Sequence, residues 1–304
     1  MSTVRARIGT RASALAMAQV AIVADRLREI GLEVEVVPVS TQGDRSRSKG
    51  SLMLERGAFV KDLEAALLRG DVDLAVHSAK DLPVEIAGGT ELAAFPTRGD
   101  PRDALVSRGD TRLSDLSAGA RVGTESPRRQ AFLRLERPDL AIGPVRGNVD
   151  TRLAKLDDGE LDALVVAAAG LERLGLADRI AEAFALDRMV PAVGQGALAV
   201  QARAGDRWAG SVRRIEDRHT RTAVTAERAF LAAMGGGCRV PFAAHAIATD
   251  DGLTIEAAAL RPDGGAIVRD RLAGSGEEAV SLGERVAELL LGRGAAELAA
   301  EGAA

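Results

Sequence analysis

Cysteine, lysine and aromatic residues are scarce in this chain of 304 residues. Its single cysteine, Cys238, cannot form a disulfide within the chain, which excludes a disulfide-stabilised scaffold and indicates a reducing compartment or no dependence on disulfides. Aromatic residues make up 2% of the chain and tyrosine is absent, so the core must consist mainly of aliphatic side chains. The four lysines are outnumbered by arginines, the better partners for carboxylates, although genome composition alone can produce that bias.

Long apolar segments are also missing. The longest near-apolar stretch, residues 161–171, is interrupted by Asp162 and is far shorter than the roughly 20 residues of a membrane helix. The first residues lack the apolar region of a signal peptide. A net charge of −4 argues against a general nucleic-acid binder. We therefore expect a cytoplasmic protein that binds neither membrane nor nucleic acid.

The order of predicted elements indicates an α/β protein with mainly parallel sheets and a smaller α+β C-terminal domain. A chain of this length is expected to form two or three domains. Residues 95–101 resemble a crossover into a second unit that repeats the plan of the first. Strands are predicted over residues 7–10, 32–40, 72–77, 121–124, 140–145, 163–168, 244–247, 253–260 and 266–272. Helices are predicted over residues 13–30, 59–69, 126–135, 150–156, 222–234 and 277–291.

Polar and cationic residues follow several predicted strands. Ligands of parallel sheets bind at the carboxyl ends of strands, next to helix N-termini. A cation at a helix N-terminus opposes the helix dipole, so repetition of this arrangement favours an anionic ligand that offsets the cost. The alternative is that individual arginines form structural salt bridges or cover the surface. The residues concerned are Arg11, Ser13, Lys80, Asp81, Ser126, Arg128, Arg129, Arg146 and, on the following helix, Arg152.

Two further side chains are candidates for chemistry. Asp81, a carboxylate beside Lys80, can stabilise a developing positive charge or move a proton, although an aspartate in a turn is often only a cap. Cys238 follows three glycines, which favours a chemical role over packing, but a small buried hydrophobe remains the alternative. The three histidines are far apart in sequence, and no metal-ligand spacing, phosphate loop or dinucleotide fingerprint is present.

Many short segments, in order along the whole chain, together resemble one enzyme family. They are residues 8–13 (IGTRAS), 41–44 (TQGD), 59–64 (FVKDLE), 77–83 (HSAKDLP), 128–130 (RRQ), 146–153 (RGNVDTRL), 191–196 (PAVGQG), 224–228 (VTAER) and the glycine loop ending at Cys238. By these motifs the chain resembles the porphobilinogen deaminase family, also called hydroxymethylbilane synthase. Any one of the segments would be a weak signal, whereas the ordered series is specific.

The resemblance implies a fold and an activity. It implies a first domain of residues 1–96 and 192–216, a second of residues 97–191, and a third of residues 217–304, the first two similar to the lobes of periplasmic binding proteins. It also implies a dipyrromethane cofactor attached to Cys238 through a thioether. A monomeric enzyme of this family would join four porphobilinogen molecules head to tail, releasing ammonia at each step, and free hydroxymethylbilane by hydrolysis.

The resemblance also implies roles for individual residues. Asp81 would hydrogen-bond pyrrole nitrogens and stabilise the cation left when ammonia departs. Phe59 would stack near the incoming ring, Gln195 would lie near the cleft between the lobes, and residues 56–59 with the loop before them would form a lid. The carboxylates of cofactor and substrate would be held by Arg11, Ser13, Lys80, Ser126, Arg128, Arg129, Arg146, Arg152 and Arg173.

The chain departs from the usual family pattern at a few positions. Glu125 stands where a small hydroxyl residue is common, close to Arg128 in sequence, and Asp150 stands where a neutral residue is usual. Either acid is expected to be able to pair with a neighbouring arginine and weaken its hold on substrate. The alternative for Asp150 is that it is a favourable acid in the first turn of its helix. Ala14, Arg56 and Arg239 replace a frequent proline, lysine and glutamine.

Two other functions are consistent with parts of the sequence. A binding protein for a small anion would also use two lobes lined with arginine, but it would need neither Asp81 nor the thiol. A nucleic-acid regulator is disfavoured by the acidic balance and by the scarcity of aromatic rings for base stacking.

Overall fold

A computed structural model describes residues 5–39, 58–236 and 240–300, without the side chains of residues 58, 59 and 299. The strands are β1 (Ala6–Thr10), β2 (Val34–Pro38), β3 (Leu74–Ser78), β4 (Thr90–Ala94), β5 (Asp103–Ser107), β6 (Arg121–Gly123), β7 (Ala141–Gly143), β8 (Ala163–Ala167), β9 (Glu182–Ala183), β10 (Leu198–Arg203), β11 (Phe242–Thr249), β12 (Gly252–Leu260) and β13 (Ile267–Gly274). The α-helices are α1 (Ala14–Glu29), α2 (Ala58–Arg69), α3 (Pro127–Glu136), α4 (Val149–Asp157), α5 (Ala168–Arg173), α6 (Arg207–Val212), α7 (Arg218–Ala233), α8 (Ala279–Leu291) and α9 (Ala295–Ala300).

The chain divides into two compact units. Unit 1 comprises Met1–Arg98 and Ala197–Arg221, and unit 2 comprises Gly99–Gly196 and Thr222–Ala304. The three domains implied by the family resemblance, with their boundaries at residues 96, 191 and 216, stay a prediction.

Unit 1 is built on a five-stranded sheet of order β2-β1-β3-β10-β4. β1 is parallel to β2 and β3, whereas β10 runs antiparallel to β3 and β4. Helix α1 covers this sheet with a buried stripe that includes Val20, Val23 and Leu27, spaced three and four residues apart as on one helix face. Strand side chains such as Leu74 and Val200 complete the same core.

Local signals place both ends of α1 where the sequence predicts them. The Ser13 hydroxyl accepts a hydrogen bond from the Ala16 amide at 3.4 Å and caps the N-terminus. Ile30 is the C-cap, and Gly31 follows with a φ of 84°, a conformation that suits glycine. The predicted helix over residues 13–30 is therefore confirmed.

Unit 2 contains a sheet of the same plan and a smaller antiparallel sheet. The five-stranded order is β7-β6-β8-β5-β9, with β6 parallel to β7 and β8, and β5 antiparallel to β8 and β9. The second sheet has the order β11-β12-β13. Phe132 of α3 and Leu260 of β12 belong to one hydrophobic core, so the two sheets of this unit share buried contacts. The predicted α/β class, with mainly parallel sheets and a smaller C-terminal α+β part, is confirmed.

Several elements were absent from the prediction. Strands β4, β5, β9 and β10 and helices α6 and α9 lie in stretches that were left unassigned or interpreted as connections. Helix α5 was also not predicted, and it begins at Ala168, the last residue of a predicted strand. β5 and β10 are the antiparallel strands within the two large sheets, so each sheet is mixed rather than wholly parallel. Among the described residues, no helix is both long enough and apolar enough to cross a membrane.

Candidate active site

In unit 2, two neighbouring parallel strands bring two polar loops to one edge of the sheet. β6 and β7 pair in register, with Val122 opposite Ile142. Because both strands end at this edge, residues 124–126 and 144–148 leave the sheet side by side. The Thr124 amide donates a hydrogen bond to the Gly143 carbonyl at 2.9 Å and fixes the first loop against the second. This edge carries most of the arginines that the sequence predicts as ligand-binding residues.

Helix α3 begins at this edge with a capped first turn. The Ser126 hydroxyl accepts a hydrogen bond from the Arg129 amide at 3.4 Å, and Pro127 occupies the first helical position. Arg128 and Arg129 therefore lie in the first turn, where cations oppose the helix dipole. Both side chains are nonetheless buried. A negative partner is needed to stabilise them there.

That partner is Asp103, the first residue of β5. Its Oδ1 accepts a hydrogen bond from Arg129 Nε at 2.7 Å, and its Oδ2 lies 2.7 Å from Arg128 Nη1. Burial alone would raise the pKa of Asp103, but attraction to the two guanidinium groups and their hydrogen bonds hold it below its usual range. Gln195 Nε2 donates to the same Oδ1 at 2.9 Å, and Arg129 Nη2 donates to Gln195 Oε1 at 3.2 Å. Three predicted binding residues thus surround one fully buried carboxylate.

The network contains more positive than negative charge. Arg128 and Arg129 oppose the single carboxylate of Asp103. Arg128 Nη1 also donates to the Val190 carbonyl at 2.7 Å, but its buried Nε makes no hydrogen bond to any residue in the described part of the chain. Burial lowers the pKa of Arg129 despite the neighbouring carboxylate. An anionic group beside Arg128 would balance the excess charge.

A second cluster at the same edge consists of Glu125, Arg146 and Arg152. Arg152 Nη2 donates a hydrogen bond to Glu125 Oε2 at 3.0 Å, and Arg146 Nε lies 3.8 Å from Glu125 Oε1. In the sequence, Glu125 is close to Arg128. The observed ion pairs of Glu125 are instead with Arg146 and Arg152, because β7 places the second loop beside the first. Asp150, the other unusual acid, lies exposed in the first turn of α4.

Arg173 lies at the end of α5 and points to the glycine-rich turn before β10. Its Nη2 donates a short hydrogen bond to the Gly196 carbonyl, and burial lowers the pKa of Arg173. Gly196 has a φ of 84°, and a Cβ atom there would lie 2.5 Å from the Gly99 carbonyl oxygen. Only glycine therefore fits this turn without rearrangement.

Unit 1 presents its own polar edge where β1 and β3 end. Ser13 caps α1, and Gln19 of that helix donates a hydrogen bond to the Ser78 hydroxyl at 2.8 Å. Ser78 precedes a short 3-10 turn, Ala79–Asp81, that carries Lys80 and Asp81. Asp81 is exposed, so its carboxylate is open to solvent. Arg11, directly after β1, is partly buried and completes the set predicted for this unit.

His77 lies just before this turn but is fully enclosed. Burial lowers its pKa from 6.5 to about 4, so the imidazole is neutral near pH 7. It pairs with Ala199 in the register of β3 and β10.

Sequence reasoning missed a second buried carboxylate. Glu227 of α7 accepts hydrogen bonds from the amides of Gly194 at 2.6 Å and Ala246 at 2.8 Å. It therefore joins the turn that carries Gln195 to strand β11. Glu227 lies within the motif of residues 224–228, but no role was predicted for it. Asp103 belongs to none of the motifs, and its one sequence signal was an acid at the start of an apolar strand.

Three predicted features lie outside the description. Cys238 falls in residues 237–239, and the side chain of Phe59 is among those left out. Of the predicted lid, residues 56–59 with the loop before them, only the backbone of residues 58 and 59 is described. The cofactor attachment, the stacking role and the lid therefore stay predictions.

Family models and relatives of known name agree on one family. Residues 6–211 match the family model described as "Porphobilinogen deaminase, dipyromethane cofactor binding domain", and residues 221–292 match "Porphobilinogen deaminase, C-terminal domain". A porphobilinogen deaminase of Acidothermus cellulolyticus is 48% identical over 303 residues, covering 96% of this chain and 90% of the relative. One from Syntrophotalea carbinolica is 46% identical over 299 residues, covering 97% and 95%. Among solved structures, an ABC-transporter periplasmic substrate-binding protein from Coxiella burnetii is similar over 69% of this chain and 91% of its own, with 17% identity and a TM-score of 0.44.

Proposed function

Because the chain belongs to the porphobilinogen deaminase family, the hydroxymethylbilane synthases of tetrapyrrole biosynthesis, we propose roles for its residues in joining porphobilinogen units. The family model assigns a dipyrromethane cofactor binding domain to residues 6–211. The substrate of the family is porphobilinogen, a pyrrole that bears an acetate and a propionate. A growing chain of such units is a polyanion, and this charge determines what the protein has to bind.

The residues described above fit the dipyrromethane group by their donor chemistry. When bound, this group supplies the pyrrole ring to which the first substrate unit is joined. Guanidinium groups pair with carboxylates through two parallel hydrogen bonds, and the unit 2 sheet edge presents several of them. The buried Arg128 Nε and the excess positive charge around Asp103 support a carboxylate ligand at this edge. This is the observation that carries the proposal.

We propose that the remaining cations bind the other carboxylates of cofactor and substrate. In unit 2 these are Arg146, Arg152 and Arg173, with Ser126 at the N-terminus of α3. In unit 1 they are Arg11 and Lys80, with Ser13 at the N-terminus of α1. Gln195 would orient Arg129 through the hydrogen bond between their side chains. Phe59 would stack against the incoming ring.

Asp81 is proposed as the catalytic residue. Its exposed carboxylate can accept hydrogen bonds from pyrrole N–H groups of a bound ligand. When ammonia leaves porphobilinogen, positive charge develops on the substrate ring. A fixed carboxylate beside that ring lowers the energy of the cation, and Lys80 next to it can pair with a substrate carboxylate.

Cys238 is proposed to hold the cofactor through a thioether. The support is the family motif around it and its position as the only thiol of the chain. We further propose that the enzyme acts as a monomer in the cytoplasm, where a lone thiol stays reduced. Light scattering of the purified holoenzyme would test the oligomeric state.

The intact mass of purified, denatured protein tests the cofactor assignment. We expect an adduct equal to two porphobilinogen units less two ammonias, and an unmodified mass for Cys238→Ser. If the wild-type mass is unmodified, the protein is incubated with porphobilinogen and weighed again, which separates apoprotein from a wrong assignment. A protein that binds porphobilinogen but neither gains mass nor releases ammonia would instead be an anion-binding protein.

A further inference from the structure

Glu125 faces two of the proposed ligand-binding arginines with its two carboxylate oxygens. Oε2 accepts a hydrogen bond from Arg152 at 3.0 Å, and Oε1 lies 3.8 Å from Arg146. A ligand carboxylate that bridges two guanidinium groups would adopt the same arrangement. The carboxylate of Glu125 therefore pairs with the two guanidinium groups that the proposed function assigns to carboxylates of cofactor or substrate.

The Arg152 side chain has a support that does not depend on Glu125. Its Nε donates a hydrogen bond to the Gly147 carbonyl at 2.8 Å, and its backbone amide donates to the Asn148 carbonyl at 3.0 Å. Gly147 has a φ of 118°, and a Cβ atom there would lie 2.8 Å from Thr151, so this turn is tightly packed. Loss of the Glu125 carboxylate would thus leave the Arg152 guanidinium in place.

Glu125 itself is held by its backbone rather than by its side chain. Thr124 on one side is buried, and its carbonyl accepts a hydrogen bond from Gln130 Nε2 at 2.8 Å. Ser126 on the other side caps α3. The Glu125 side chain is 33% exposed and that of Arg146 is 70% exposed, so a rotation of side chains is enough to separate them.

We propose that Glu125 is a built-in competitor for carboxylate ligands. Its carboxylate pairs with Arg146 and Arg152 until a ligand carboxylate displaces it, and it returns when the ligand leaves. The inference rests on the proposed role of these arginines in ligand binding. Displacement breaks both ion pairs of Glu125, and each of them is partly exposed. Porphobilinogen therefore binds less tightly than it would with a neutral residue at position 125.

The test compares Glu125→Gln with Asp150→Asn in the holoenzyme. Both variants remove one negative charge and keep the side-chain shape, but Asp150 lies exposed in the first turn of α4. We expect Glu125→Gln to lower KM for porphobilinogen about two- to fivefold, the range of an exposed ion pair, without lowering kcat. Asp150→Asn should leave KM unchanged. An unchanged or higher KM in Glu125→Gln, or an equal fall in both variants, overturns the proposal.

A double-mutant cycle separates this inference from the proposed function. We expect Arg152→Gln to raise KM, and the gain from Glu125→Gln to shrink in the Arg152→Gln background, because the competitor has lost its partner. If Arg152→Gln raises KM but Glu125→Gln has the same effect in both backgrounds, the competitor is disproved and the arginine site stands. If Arg152→Gln leaves KM unchanged, the proposed role of Arg152 is itself wrong, and the competitor falls with it.

Discussion

Asp103 and Arg129 form a buried ion pair in unit 2, with 2.7 Å between Oδ1 and Nε. Asp103 is fully enclosed and also faces Arg128, so one carboxylate balances part of the charge of two guanidinium groups. The pair fixes the first turn of α3 relative to β5. It therefore determines where two of the proposed ligand-binding side chains lie.

We expect Asp103→Asn to be strongly destabilising. Removal of one partner of a buried pair leaves uncompensated charge, at a cost of about 3–5 kcal/mol in the free energy of unfolding. Asp25→Asn is a suitable control, because Asp25 pairs with Arg28 on the exposed face of α1 and should cost about 1 kcal/mol or less. Urea denaturation of both variants provides the comparison. Equal, small losses would contradict the assigned role of Asp103.

Asp81→Ala should reduce turnover by about 10²- to 10⁴-fold while the protein stays folded. Because the residue is exposed, loss of its side chain removes little buried contact and should change stability little. Glu85→Ala removes another exposed acid four residues further along and is expected to keep full activity. The rate of ammonia release, together with the melting temperature, checks both expectations. A normal rate in Asp81→Ala would remove this carboxylate from the mechanism.

We expect His77 to make the free energy of unfolding depend on pH. Its pKa falls from 6.5 to about 4 on folding, so between these values the unfolded chain binds the proton more readily than the native protein does. The stabilising contribution is complete above pH 6.5 and is lost as the pH falls towards 4, amounting to about 3 kcal/mol. His77→Gln should flatten the slope of unfolding free energy in this window. His219→Gln serves as the comparison, and the same slope in wild type and His77→Gln would contradict the argument.

Gly196→Ala separates steric clash from backbone strain. At Gly196 a Cβ atom would meet the Gly99 carbonyl at 2.5 Å, whereas at Gly119, with a φ of 76°, it would meet nothing within 4 Å. Gly119→Ala should therefore cost only the conformational strain, about 1–2 kcal/mol. Gly196→Ala should cost clearly more and should also disturb the hydrogen bond from Arg173. Thermal denaturation of the two variants measures the difference, and equal costs would show that the turn can relax.

The sequence predicted those parts of the fold that local chemistry determines. Ser13 and Ser126 are the N-caps of α1 and α3, and Gly31 directly follows the C-cap of α1. Strand β5 was missed because it directly follows residues 95–101, which were interpreted as a crossover. Strand β10 was missed because it joins β3 and β4 from a distant part of the chain. No local pattern shows that such a strand will be central.

In the candidate site, too, some residues were predicted from local sequence and others were not. The arginines at strand ends were predicted because position relative to a strand is a local property. Their partners were not, since Asp103 reaches Arg129 only through the placement of β5 beside β8, and Glu125 reaches Arg152 only through the pairing of β6 with β7. Strand order within a sheet is a global property. Phe59 was identified by a family motif alone. Cys238 was singled out by the three glycines before it, and the family motifs added the cofactor attachment. The roles of both residues stay predictions.

The position of β10 has a consequence for the order of synthesis. β3 and β4 of unit 1 are both bordered by β10, which begins only at Leu198. The ribosome must therefore make the whole of residues 99–196 before the first sheet can close, while the five strands from β5 to β9 are complete by Ala183. Domains generally fold in the order in which they emerge, N-terminal first. Here the inserted sheet can close while the sheet that began earlier still awaits its last strand.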